Sequence, residues 1–384
     1  MIEWKKADVK EEEKMFNKRS TNICKGIAIL MMYVHHSFYN ADAWKNAEVI
    51  FTPFTESQIL LLAKLCKVCV AVFVFLSAFG VCRSSEGKPE ASVLDKTTYL
   101  PVVARRYQTL LCHFGVIYLL SQLCSQLIGR TRTAVYGENV VKRLIYTVID
   151  AMGLAHALDT PTYCKTWWYM SFAFLLILLL PVLVVAAQKV GYALLPMSIL
   201  LPLLAGFDMG SNVFRYLPAA VMGILCAQYH IFEKMYEMIY LRKTGCTGWK
   251  INVLLFLTGA GCLLVMFFLS YCRLRLGYVY LFENMLALVI CAFCYLVLEQ
   301  IPGLSRMLAF LGKHSMNMFL THSLIRGNTV RLHDFSYMPR YPILIILLLV
   351  MDTVLLSVII EWVKTVLQQI WEGILPSLRV HRRA

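Results

Sequence analysis

Asn22–Asn40, NICKGIAILMMYVHHSFYN, decides how this chain is read. Lys25 and Gly26 stand near its start, an apolar run follows from Ile27 to Val34, and two adjacent histidines, His35 and His36, come next. A stretch this apolar reads as a membrane helix. At the helical rise per residue, His36 stands roughly 16 Å along the axis from Lys25. That sets an ionisable side chain well inside a layer about 30 Å thick, where such groups are costly and tend to be functional. Histidine is also the side chain best suited to moving protons near neutral pH.

The rest of the chain has the same character. Of its 384 residues, 59% are hydrophobic and 16% charged, against about 25% charged in soluble domains. A soluble core cannot hide this much apolar surface, so the composition implies an all-α, polytopic membrane helix bundle. About ten transmembrane helices are expected, near 22–38, 58–82, 110–128, 166–187, 190–206, 214–232, 251–272, 278–298, 305–325 and 342–366. Residues 1–21 read as a cytoplasmic amphipathic lead-in, too rich in acidic residues for a signal peptide. Residues 22–366 read as one membrane domain and 367–384 as a basic cytoplasmic tail. The larger share of the 37 Lys and Arg then falls on the side of the termini, which the positive-inside rule makes cytoplasmic. The net charge of +14 is spread among loops and follows membrane orientation better than it does a nucleic-acid partner. The segment 129–165 is the largest external piece. With Val140, Leu144 and Val148 at helical spacing, it is expected to lie along the interface.

The thirteen cysteines give no zinc pattern. Cys66-x-x-Cys69 and Cys291-x-x-Cys294 lie inside expected spans with no matching second pair, so they read as small buried hydrophobes. No metal is expected.

Five stretches, in order, are similar to the membrane acyltransferase 3 family, whose members are integral-membrane O-acyltransferases acting on cell-surface glycans. Lys25-x10-His36 matches the spacing of its first helix, a basic residue followed by the essential histidine. Val72–Gly80, VFVFLSAFG, resembles its FFFLSGF segment, with Ala78 in place of glycine. Arg105–Leu111, RRYQTLL, resembles its RRxxRLL, with Thr109 where a further arginine would stand. Thr166–Tyr169, TWWY, is like its tryptophan-led fourth span, without the glutamate found downstream in some members. Leu311–His322, LGKHSMNMFLTH, is close to its LGKYSxxIYLxH.

The resemblance implies transfer of an acyl group, usually acetyl, from cytoplasmic acyl-CoA to a hydroxyl of a cell-surface or lipid-linked carbohydrate, at the plasma membrane. His36 is then the catalytic residue. Imidazole can act as the base for the attacking hydroxyl or carry the acyl group itself, and both roles stand open. CoA is polyanionic, and Arg105 and Arg106 fall at the cytoplasmic mouth, where arginine suits phosphate. Lys25 lies on the same side. The plainer reading of Arg105 and Arg106 is topology-setting charge, and of Lys25 an amine that snorkels to the interface. Ser77 either bonds within its own helix or lines the CoA path. His35, Lys67 and His322 are possible supporting residues, His322 in a structural or acceptor-side role. Lys64 and Lys67 share a helical face inside an expected span and call for counter-ions, for which Glu283, Asp352 and Glu361 are available. Trp167, Trp168 and Tyr169 read most simply as an aromatic interface belt. The alternative function is a polytopic transporter or exporter of a glycan, lipid or acyl intermediate, with Lys64, Lys67 and Glu283 as coupling groups.

Overall fold

The computed structural model describes residues 15–41, 44, 47–86, 96–241, 249–327 and 330–381. Most of the expected lead-in, and Arg382 and Arg383 of the tail, lie outside the described residues. Among the described residues every regular element is helical. The helices used below are α1 (Lys18–Phe38), α2 (Glu56–Leu65), α3 (Cys69–Ser84), α4 (Lys96–Leu123), α5 (Arg132–Tyr136), α6 (Val140–Ala151), α7 (Trp168–Val190), α8 (Leu194–Leu204), α9 (Asn212–Gln228), α10 (Ile231–Tyr236), α11 (Trp249–Leu276), α12 (Val279–Leu296), α13 (Pro302–Gly327), α14 (Val330–Tyr337) and α15 (Pro342–His381).

Five segments are long and apolar enough to cross a membrane: Glu56–Ser84, Lys165–Leu204, Trp249–Leu276, Val279–Gln300 and Pro342–Ile370. Lys165–Leu204 covers two expected spans. Forty residues of helix measure roughly 60 Å, twice the hydrocarbon layer. The helix breaks between them at a 3₁₀ turn, Gly191–Ala193. Gly191 supplies the turn with a positive φ of 58°, which glycine adopts without a Cβ penalty. The other expected spans also fall on helices (α1, α4, α9 and α13), which carry more polar residues or are shorter.

The chain divides into two compact units, interleaved in sequence. The first comprises residues 1–39, 56–106 and 172–313. Its centre is α1, α3, α9 and α12, with α2 along α1, α8 against α9 and α11 against α12. Asn17 caps α1, its side chain accepting from the backbone N–H of Arg19 and Ser20. Glycines let backbones touch here. A Cβ on Gly26 would collide with the carbonyl of Leu308, one on Gly312 with that of Asn22, and one on Gly223 with that of Phe75. So α1 and α13 meet backbone to backbone at two points, and α9 meets α3 the same way. Small residues that admit such an approach drive helix association where lipid removes the hydrophobic effect.

The second unit comprises residues 40–55, 107–171 and 314–384. Its connecting segment is stapled by Asp150 at the end of α6. The Asp150 carboxylate accepts from Tyr136 Oη at 2.7 Å, Thr162 Oγ1 at 2.9 Å and the Tyr163 backbone N–H at 2.6 Å. Burial pushes the Asp150 carboxyl above its ordinary range, while the three donors pull the other way. One face of α6 leaves Val140, Val141, Leu144, Ile145 and Val148 exposed; Val140, Leu144 and Val148 are the stripe expected from the sequence to lie along the interface.

Gly312→Val should unseat α13 from α1, because the obstruction is backbone rather than a flexible side chain. The overpacking cost is at least about 1–3 kcal/mol, read as a lowered melting temperature in detergent. Gly80 has nothing within 4 Å of an added Cβ, so Gly80→Ala should melt as wild type does.

Candidate active site

The histidine pair lies at the C-terminal end of α1, in the first unit. The two side chains diverge there because successive residues of a helix point about 100° apart. His35 is buried, and its Nδ1 lies 2.8 Å from the Ala63 carbonyl on α2. A carbonyl only accepts, so Nδ1 carries the proton of this bond. His36 is half-buried, its ring edge against His35 at a centroid distance of 5.1 Å. Tyr39, the C-cap of α1, closes the end with its ring 4.7 Å from that of His35.

A cluster of buried charge stands on the same stretch of α2. Arg273, at the end of α11, donates from Nη1 to the Leu65 carbonyl at 3.1 Å, two residues beyond the one that holds His35. Its Nη2 lies 3.7 Å from Oε1 of Glu283 on α12. Glu283 is fully buried and accepts from Arg215 of α9, through Nε at 2.8 Å and through Nη2. Asn284, beside it, donates to the Arg215 carbonyl at 2.7 Å. Lys67 is half-buried and within electrostatic range of Arg215, Glu283 and Arg273. Sequence reasoning offered Glu283 as a counter-ion without a partner and missed Arg215 and Arg273. An arginine just inside each of two apolar segments was the available signal, since a charge kept at membrane depth needs a partner.

At the other end of α1, Phe16 stacks on Phe232 and meets Phe79, which ties that end to α10 and α3. Arg83 there forms an ion pair with Glu233 at 3.1 Å and bonds Glu86. Arg106 donates to Ser84 Oγ at 2.8 Å, and Arg105 is exposed. Lys25 is half-buried in the first third of α1. The Ser77 hydroxyl donates to the Phe73 carbonyl of its own helix at 2.8 Å. The first unit thus gathers Lys25, Arg106 and Arg83 toward one end of α1. His35, His36 and Lys67 gather at the other.

His322 belongs to the second unit. It is fully buried, with Nδ1 donating to the Phe319 carbonyl at 2.6 Å and Ser323 Oγ donating to Nε2 at 2.9 Å. Trp167 departs from the interface belt expected of it. It is buried, its indole N–H donates to the Leu320 carbonyl at 3.0 Å, and Phe114 crosses it edge-on. A tryptophan that finds a partner for its one donor can leave the interface for the interior. Trp168 and Tyr169 stay half-buried. Glu361 pairs within the second unit, with Lys364 at 2.9 Å and Asn317 at 2.7 Å.

A family model described as an acyltransferase domain matches residues 19–362. The chain belongs to the acyltransferase 3 family. Curated proteins and solved structures give no match. The family match takes in nearly all of α1 and every candidate site residue named from the sequence, from Lys25 to His322. With helices long and apolar enough to cross a bilayer, this acyltransferase 3 protein is a membrane acyltransferase.

His35→Ala should weaken the fold, since it strands the Ala63 carbonyl and opens a cavity. The stranded acceptor alone costs about 1–3 kcal/mol, visible as a drop in melting temperature. His36→Ala, at a half-buried position, should melt within about 0.5 kcal/mol of wild type. Equal melting of both variants would remove the anchoring role from His35.

Proposed function

We propose that this membrane acyltransferase moves an acyl group, acetyl in the first instance, from cytoplasmic acyl-CoA to a hydroxyl of a cell-surface or lipid-linked carbohydrate. The reaction takes place across the plasma membrane, with both chain termini on the cytoplasmic side. The observation that carries the reading is the arrangement along α1, with histidines at one end and a set of basic side chains toward the other.

The residues fit a polyanionic donor. Arg105, Arg106 and Lys25 offer cationic groups for the phosphates, and guanidinium binds phosphate in a bidentate fork. The pantetheine arm of CoA is the part long enough to run from such a mouth toward the histidine end. Bound acyl-CoA supplies an activated acyl carbonyl. His36 then takes the proton of the acceptor hydroxyl as that oxygen attacks the carbonyl, and returns it to the departing sulfur. If His36 acts as carrier instead, its ring nitrogen attacks the thioester carbonyl, the C–S bond breaks and CoA leaves as the thiol with the ring proton; the acceptor hydroxyl then takes the acyl group and its proton returns to the ring. His35 positions the pair by holding the end of α1 to α2.

The test is CoA release and label transfer from radiolabelled acetyl-CoA by protein in nanodiscs with a crude glycan acceptor. His36→Ala should lose at least about 100-fold in turnover while melting as wild type does. Arg106→Met should raise KM for acetyl-CoA more than it lowers kcat, as expected of a binding contact. Full turnover by His36→Ala would overturn the assignment. Silence of the wild type with every acceptor would overturn the donor reading.

A further inference from the structure

The charges beside the histidine end of α1 do not balance. Arg215, Arg273 and Lys67 gather around one carboxylate, Glu283. A structural ion pair needs one cation per carboxylate, and Arg215 already fills that place with two donors to Oε2. Arg273 is 8% exposed and stands 3.7 Å from Oε1, beyond hydrogen-bond length. Among the described residues its close bond goes to a neutral carbonyl, that of Leu65. Lys67 adds a third positive charge. The Tyr216 ring lies 5.5 Å from the Arg215 guanidinium, and a ring face attracts a cation without supplying the negative charge of a carboxylate. Uncompensated cations at membrane depth are costly.

The same place holds buried acceptors that accept no hydrogen bond. Asn284 Oδ1 and Glu283 Oε1 are both buried without a hydrogen bond, and Asn284 is 1% exposed. A surplus of cations beside open acceptors suits a ligand that brings an anion and hydroxyl groups together.

The site adjoins the histidines through two links. Arg273 and His35 grip carbonyls two residues apart on α2. Tyr39, packed on His35 and half exposed, lies within electrostatic range of Arg215.

We infer that Arg215, Arg273 and Lys67, with Asn284 and Glu283, form the acceptor subsite, and that the acceptor is an acidic carbohydrate carrying a carboxylate or phosphate near the hydroxyl that is acylated. This rests on the acyltransfer reading of the His36 end. The anion docks against the surplus cations, Asn284 Oδ1 and Glu283 Oε1 accept hydrogen bonds from sugar hydroxyls, and the docked ring presents a further hydroxyl to the histidine end.

The test uses protein in phosphatidylcholine nanodiscs, so that no anionic lipid competes. Binding of glucuronate, glucose 6-phosphate and glucose is measured at fixed ionic strength, and CoA release from acetyl-CoA is measured with each as acceptor. Both anionic sugars should bind at least about tenfold tighter than glucose and be the better acceptors. If only one of the two does so, it names the anion, carboxylate or phosphate. Lys67→Met should abolish that preference and Lys67→Arg should keep it. Lys67 is the residue to change because its loss leaves Glu283 paired with Arg215. Equal binding of charged and neutral sugars would overturn the inference and leave acyl transfer standing. Anionic-sugar binding without CoA release would leave the anion subsite standing and remove the acyltransfer reading. Displacement of the bound sugar by desulfo-CoA would assign the cations to the donor and overturn the inference.

Discussion

The contact on which the first unit depends is the backbone-to-backbone approach of α1 and α13 at Gly26 and Gly312. Two such points fix how far α1 slides along its neighbour and how far it rotates. With that rotation set, His35 turns toward α2, where the Ala63 carbonyl holds its ring, and His36 turns to a half-buried face. A helix held through long side chains would keep some freedom to rotate, and the histidines would move with it. Dispersion between close backbones is weak per atom but acts along the whole crossing. Gly223 does the same for α9 against Phe75 of α3, and α9 carries Arg215 to the histidine end.

Polarity then separates along α1. The end near Asn17 is closed by ion pairs that satisfy their own charge, Arg83 with Glu233 and Glu86, on the same side as two further basic residues, Arg105 and Arg106. The histidine end concentrates charge under more burial. Glu283 is fully buried, and its partners are nearly so. Low dielectric strengthens each pair and penalises each unpaired group alike. A site built this way is rigid when filled and costly when empty, which is the electrostatic condition for preferring one charged ligand over its neutral analogue.

Much of this was legible in the sequence because it is local. The apolar stretches appear directly as runs, and each expected span falls on a helix. The spacing of Lys25 and His36 is a property of one helix, fixed by its rise, and survives into the structure unchanged. Ser77 was read with two outcomes, and its bond to Phe73 is the local one. The belt reading of Trp167 failed because burial is a tertiary matter. The indole meets Leu320, 153 residues away in the chain, and no window of sequence holds both. The charged cluster escaped for the same reason, since Arg215 and Glu283 are 68 residues apart. A lone arginine near a span end looks like an interface anchor until its carboxylate is known. The shortfall in apolar character of α13 also follows from its contents. Lys313, His314 and Asn317 lower its hydropathy, and within the second unit His314 and Asn317 both meet Ser357 of α15, each at 2.9 Å. Polar residues that bond one another inside a helix pair dilute the signal that marks a span, while binding the pair together.

The choice between the two histidines turns on freedom rather than on chemistry. His35 has the better-defined ring orientation, with Nδ1 committed to the Ala63 carbonyl. That commitment also limits it. A ring that must carry an acyl group or a proton between partners has to accept a second proton and then release it, and His35 would do so while 8% exposed and wedged between Tyr39 and His36. Charging it there would place another cation beside Arg273 and Arg215. His36 is half-buried, with its ring edge-on to that of His35. An acidic sugar seated on the surplus cations would also lower the cost of protonating His36 as it takes the hydroxyl proton, because the anion stands near the imidazolium that forms. On that proposal, the negative charge that seats the acceptor would also help His36 to act as base.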